Sequence, residues 1–163
     1  MNHHSEAGLP QFMVPGWSGF IGEHTFLAEE IVEFAKAYDP QPFHIDAQAA
    51  RASLFGSLCA SGWHTASMWM RKQRDYTQKY LAERAKNGLP AAEFGPSPGF
   101  ENLKWPKPVY AGDTIRYFNQ TTACRKSRSR PGWHIMSARS SGKNQHDELV
   151  LTFESAVMLK YPV

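Results

Sequence analysis

Residues 62–86, GWHTASMWMRKQRDYTQKYLAERAK, contain no proline and no glycine after Gly62, and this run decides the reading of the fold. Trp63, Ala66, Met70, Thr77 and Leu81 fall on a rough stripe at helical spacing. At 1.5 Å per residue the helix is roughly 35 Å long. Asn87-Gly88-Leu89-Pro90 ends it. The C-terminal part of the chain reads as sheet. Thr114 to Ala123 alternates and is rich in Thr, Ile, Tyr and Phe, and Trp133 to Ser140 alternates again after Pro131-Gly132. In the last run Leu151, Phe153, Ser155, Val157 and Leu159 share one face, with Thr152, Glu154 and Lys160 on the other. One long helix facing several strands predicts an α+β fold, a curved antiparallel sheet packed on a central helix, in a single domain over residues 1–163.

Upstream, a Pro/Gly-punctuated start leads into Thr25 to Tyr38, where Leu27, Ile31, Phe34, Ala35 and Tyr38 are spaced for a helix. Thr25 is the expected cap, Glu29 and Glu30 suit the positive end of the helix dipole, and Pro40 and Pro42 forbid continuation. A short helix is expected after Asp46, whose carboxylate can accept orphan backbone N–H groups. Phe94 to Gly99 reads as a Gly/Pro loop.

The chain is long enough to bury a core without disulfide or metal staples. Lys and Arg total 18 against 15 Asp and Glu, a net charge of +3 that is too slight to argue for nucleic acid. Cys59 and Cys124 form no C-x-x-C pair and read as reduced thiols, which predicts a cytoplasmic protein. The first residues lack the layout of a signal peptide, and no run approaches the roughly 20 apolar residues that span a bilayer. About ten N-terminal residues are expected to be flexible, with His3 and His4 solvated rather than metal-bound.

The densest polar constellation is Tyr38-Asp39-Pro40-Gln41-Pro42-Phe43-His44-Ile45-Asp46. Two prolines stiffen the bend, so Asp39 and His44 can converge at little ordering cost and hold one water between them. Asp-Pro also opens ordinary turns, and Asp46 is fully explained as a helix cap. No third ligand gives His44 and Asp46 a metal-binding spacing. At the start of the long helix, Ser61-Gly62-Trp63-His64 offers unpaired backbone N–H groups that can face a developing enolate oxygen. The same residues are equally explained as a cap and a tight start to the helix. Cys59 is expected to be buried and inert, and His64 structural. Arg125-Lys126-Ser127-Arg128-Ser129-Arg130 places 4 cations in six positions between two strands, either a solvated turn or a seat for nucleotide phosphates.

The Asp39-to-Asp46 element, Ala60-Ser61-Gly62-Trp63-His64, Pro108-Val109-Tyr110-Ala111-Gly112-Asp113, Ser127-Arg128-Ser129-Arg130-Pro131 and Asn144-Gln145 occur in an order that resembles the MaoC-like acyl dehydratases, including the (R)-specific enoyl-CoA hydratases. The resemblance runs from about Thr25 to Leu159. It implies a hotdog fold that pairs with a second subunit as a homodimer or higher homo-oligomer. It also implies hydration of an enoyl thioester, or the reverse, with coenzyme A or acyl carrier protein as carrier and no metal or redox cofactor. Asp39 and His44 inherit the activation of water, and the Gly62 N–H the thioester carbonyl. Ser61, Trp63, Arg128 and Arg130 are the expected substrate-binding residues. The chain departs from the family where some members place a serine two turns down the helix to support the histidine: Met70 stands there, with Ser67 nearby. Residues from about 72 to 98, with Tyr76, Tyr80 and Phe94, form a longer insertion that is expected to cap or narrow the acyl pocket.

Overall fold

The computed structural model describes residues 10–161, so His3, His4 and the stretch expected to be flexible lie outside it. A 3-10 turn at Gln11–Met13 precedes β1 (Ser18–Thr25), α1 (Ala28–Tyr38), α2 (Pro42–Ile45), α3 (Ala47–Ala52) and α4 (Gly62–Lys86). Then come β2 (Glu93–Phe94), β3 (Gly99–Lys104), β4 (Thr114–Lys126), β5 (Trp133–Lys143) and β6 (Leu149–Lys160). The strands form one antiparallel sheet in the order β1-β4-β5-β6, with β2 and β3 both paired to β6. Register shifts at Phe20/Gly22, Glu101/Lys104, Thr121/Ala123 and Gly142/Lys143 bend four of these pairings. The resulting sheet curls around α4.

The core between sheet and helices holds Phe26, Ile31, Trp69, Val109, Ile115, Tyr117, Val150 and Leu151. Tyr117 is fully buried and donates its hydroxyl to the Thr65 carbonyl at 3.0 Å, which ties the sheet to the first turn of α4. Burial raises its phenol well above the usual range. A smaller cluster of Met13, Ala92, Leu159 and Tyr161 closes the far end of the helix.

α4 begins and ends where the sequence places it, but its buried face is not the expected stripe. Trp63 and Met70 are half exposed; Thr77 is buried as its place in the stripe predicts, and His64, Thr65 and Trp69, which lie outside the stripe, are buried too. The buried positions include two threonines whose hydroxyls turn back on the helix, Thr65 to the Ser61 carbonyl and Thr77 to the Gln73 carbonyl. With that return bond a threonine enters the core without an unpaired hydroxyl.

Three local expectations are corrected. Thr25 ends β1 instead of capping α1; its hydroxyl pairs with that of Thr114 at 2.7 Å, and Leu27 takes the cap position with its N–H donating to the Glu30 carboxylate. The Pro/Gly-punctuated start contains β1. Residues 94–99, read as loop, touch β2 at one end and β3 at the other, both laid on β6. Asp46 caps α3 as expected, accepting from the Gln48 and Ala49 N–H groups.

Candidate active site

Asp39 leaves the helical region at φ −154° and ψ 69°. Pro40 lacks an N–H and pushes the residue before it out of the α region, so α1 stops at Tyr38. The chain turns tightly, with the Gln41 N–H donating to the Asp39 carbonyl at 2.7 Å and the His44 N–H to the Gln41 carbonyl at 2.9 Å. Pro42 opens α2, where a missing N–H costs nothing. That one turn swings His44 back, and its Nε2 lies 3.6 Å from Asp39 Oδ2. The separation is too long for a direct hydrogen bond and short enough for one water to touch both. The His44 side chain is 9% exposed and that of Asp39 25%, so the pair opens towards solvent on the carboxylate side.

Each partner is held from behind. His44 Nδ1 lies 2.6 Å from the Cys59 carbonyl oxygen, which can only accept. In the neutral ring Nδ1 therefore bears the hydrogen, and the Nε2 lone pair faces Asp39. The carbonyl is itself fixed, because Cys59 bridges Tyr110, the Ala60 N–H donates to the Val109 carbonyl and the Ala111 N–H to the Leu58 carbonyl. On the other side the Ser61 hydroxyl donates to Asp39 Oδ2 at 2.7 Å and accepts from the Trp63 N–H at 3.2 Å. Ser61 is fully buried, so its hydroxyl anchors the carboxylate and caps α4 instead of meeting substrate as expected.

The support that Met70 could not give His44 comes from the Cys59 backbone. Met70 is half exposed, and Ser67 donates to the Trp63 carbonyl. The same joint keeps Cys59 itself out of the chemistry: the thiol is buried and pushed up to about 11, which leaves it protonated at neutral pH. His64 is structural. It stacks on Phe34 at 4.5 Å and 6°, meets Phe26 edge-on, and burial lowers it to about 4.

Gly62 is the first residue of α4, next to the serine that holds Asp39, so the fold brings Asp39, His44 and Gly62 together. Among the described residues no backbone carbonyl accepts from its N–H. A Cβ on Gly62 would come within 2.4 Å of the Trp105 indole, so the tryptophan also requires a glycine here. Trp105 meets Trp63 edge-on at 5.2 Å, and these two partly exposed indoles rim the start of the helix. Trp105 was not identifiable as a site residue from its own surroundings. Its partners lie about forty positions earlier in the chain.

Arg128 and Arg130 are not at this site within one chain. Their hairpin leads into Trp133, which pairs with Lys160, and the neighbouring Tyr161 accepts from Arg84 in the last turn of α4. The cations therefore lie towards the end of α4 opposite Gly62. The Gly112-Asp113 and Asn144-Gln145 pieces do meet, since Gln145 donates to Asp113 Oδ1 and Asp113 Oδ2 accepts from the Tyr110 N–H. That contact steadies the segment against which Cys59 is bridged.

An antiparallel sheet curled around a long central helix is the hotdog fold. The model of the MaoC like domain matches residues 20–133, and the chain belongs to that family. The MaoC-like dehydratase from Rhodospirillum rubrum is 36% identical, with a TM-score of 0.75 over 92% of this chain and 94% of that one. The (R)-hydratase from A. caviae involved in PHA biosynthesis is 22% identical, with a TM-score of 0.63 over 96% and 99%. The 3R-hydroxyacyl-ACP dehydratase complex from Mycobacterium tuberculosis is 19% identical, with a TM-score of 0.63 over 88% and 96%. These last two are likenesses of fold. No curated protein matches the chain.

Proposed function

We propose that this protein is a hydro-lyase that adds water to an enoyl thioester, or removes it from a 3-hydroxyacyl thioester, with coenzyme A or acyl carrier protein as carrier. The observation that carries the reading is the 3.6 Å gap between His44 Nε2 and Asp39 Oδ2, with the imidazole tautomer set by the Cys59 carbonyl. Water in that gap gives one proton to Nε2 and is oriented by the carboxylate. The Gly62 N–H, at the positive end of α4, takes the charge that develops on the thioester oxygen. The water oxygen bonds to C3 as electrons move into the enolate, and the pair returns a proton to C2. The reverse sequence expels water. No step calls for a metal or redox cofactor.

We further propose a cytoplasmic homodimer. Both cysteines are free thiols, and no helix among the described residues is long and apolar enough to cross a membrane. Among the described residues β3 pairs only with β6 and exposes Phe100, a surface on which a second chain can dock. The test incubates the protein with crotonyl-CoA and longer enoyl-CoAs, following conjugated absorbance and free thiol separately. Loss of absorbance without thiol is expected. Thiol release with absorbance retained would instead make it a hotdog thioesterase, and neither signal would leave an acyl-binding subunit without catalysis.

A further inference from the structure

α4 and the sheet do not close on each other along the middle of the helix. Between them lies a cavity of about 350 Å³ whose walls include Trp69, Tyr76, Tyr80, Phe94, Phe100 and Phe153. Several polar groups in its lining are committed to one another. Asn119 accepts from Trp69 Nε1 at 3.0 Å and from the Ser140 hydroxyl at 2.9 Å, and donates its amide to Gln73. The Thr77 hydroxyl donates to the Gln73 carbonyl. A group entering this space meets ring faces and methyls more than free donors. An apolar cavity of about 150 Å³ holds a benzene ring, so this one holds roughly twice that.

The cavity also stands in register with the site. Trp69 and Met70 on its wall follow Gly62 by seven and eight residues, about 10–12 Å along the helix. β3 joins the same two places, with Gly99 and Phe100 at the cavity and Trp105, just beyond the strand, over Gly62. We propose that this cavity receives the distal end of the acyl group, so that the substrates are apolar thioesters of about ten carbons or more, or ones ending in a ring of that reach. The inference rests on the hydratase reading. An extended chain with C–C bonds near 1.5 Å advances about 1.3 Å per carbon, so a four-carbon acyl group on Gly62 stops short and carbons beyond about the eighth arrive.

Two measurements test this. Turnover of crotonyl-, octenoyl- and dodecenoyl-CoA should show kcat/KM at least tenfold higher for the dodecenoyl than for the crotonyl thioester, since several methylenes leave water. Ala138→Leu, which fills the cavity from β5, should abolish most of that gain while leaving the crotonyl value unchanged. Calorimetry with saturated dodecanoyl- and butanoyl-CoA on the unmodified protein needs neither turnover nor a variant, and should show at least tenfold tighter binding of the longer chain. Equal binding of the two, or an Ala138→Leu effect of the same size on both enoyl substrates, overturns the cavity's role even if hydration is robust. Preferential binding of dodecanoyl-CoA with no turnover of any enoyl-CoA upholds the cavity and overturns the hydratase reading instead.

Discussion

At the residue scale the site depends on one side-chain contact and one backbone contact, Ser61 to Asp39 and His44 to the Cys59 carbonyl. Asp39→Asn keeps the shape of the side chain and removes its charge, and His44→Ala removes the base. Both should fold, as judged by circular dichroism and melting, and lose about a hundredfold or more in kcat. Ser61→Ala leaves the reacting groups in place but deletes the donor to Asp39, a bond to a charged group of about 1.5–3 kcal/mol, together with a helix cap of about 1 kcal/mol. It should lower both kcat and Tm, whereas a purely structural serine would lower Tm alone. His64 answers a different question. Burial lowers it to about 4 from an ordinary 6.5, so between these values the unfolded chain binds a proton that the folded chain refuses. This part of the stability is present above about 6.5 and lost as the pH falls towards 4. His64→Phe, with an apolar ring beside Phe34 and Phe26, removes it. Melting curves across this range should fall more steeply for the native protein than for the variant, and parallel slopes would show that His64 does not titrate in this way.

At the scale of elements, the limits of α4 were legible because nothing in residues 63–86 interrupts a helix. α3 was legible because Asp46 is a cap with good helix formers behind it. β1 and β3 were not legible. Gly19 and Gly22 lie within β1, and Pro96 and Pro98 precede β3, so local composition reads as turn where pairing with β4 and β6 imposes strand. The stripe on α4 is out of phase in its first half because hydrophobicity favours Trp63 and Met70 over Thr65, whose hydroxyl is satisfied within the helix. The start of that helix gives a direct test. Gly62→Ala drives a methyl into the Trp105 indole and should cost about 1–3 kcal/mol. Trp105→Ala in the same chain relieves the clash, so the double variant should be more stable than the sum of the single effects. Additive losses would mean that the indole does not dictate the glycine.

At the scale of the whole molecule, the sequence pointed to Asp39 and His44 as neighbours because both lie within six residues on one proline-stiffened bend. It did not assign their supports. A backbone acceptor such as the Cys59 carbonyl has no sequence signature, and Ser61 reads equally well as a cap. It also joined the Arg128 and Arg130 hairpin to the site, although that hairpin lies towards the opposite end of α4 in the same chain. Proximity across a curled sheet is set by register, which composition does not encode. The most direct test of the account is a crystal structure with a 3-hydroxyacyl thioester bound. The 3-hydroxyl oxygen should lie within about 3.2 Å of both Asp39 and His44 Nε2, and the thioester oxygen on the Gly62 N–H. A hydroxyl turned away from the pair while the thioester oxygen sits elsewhere would contradict it.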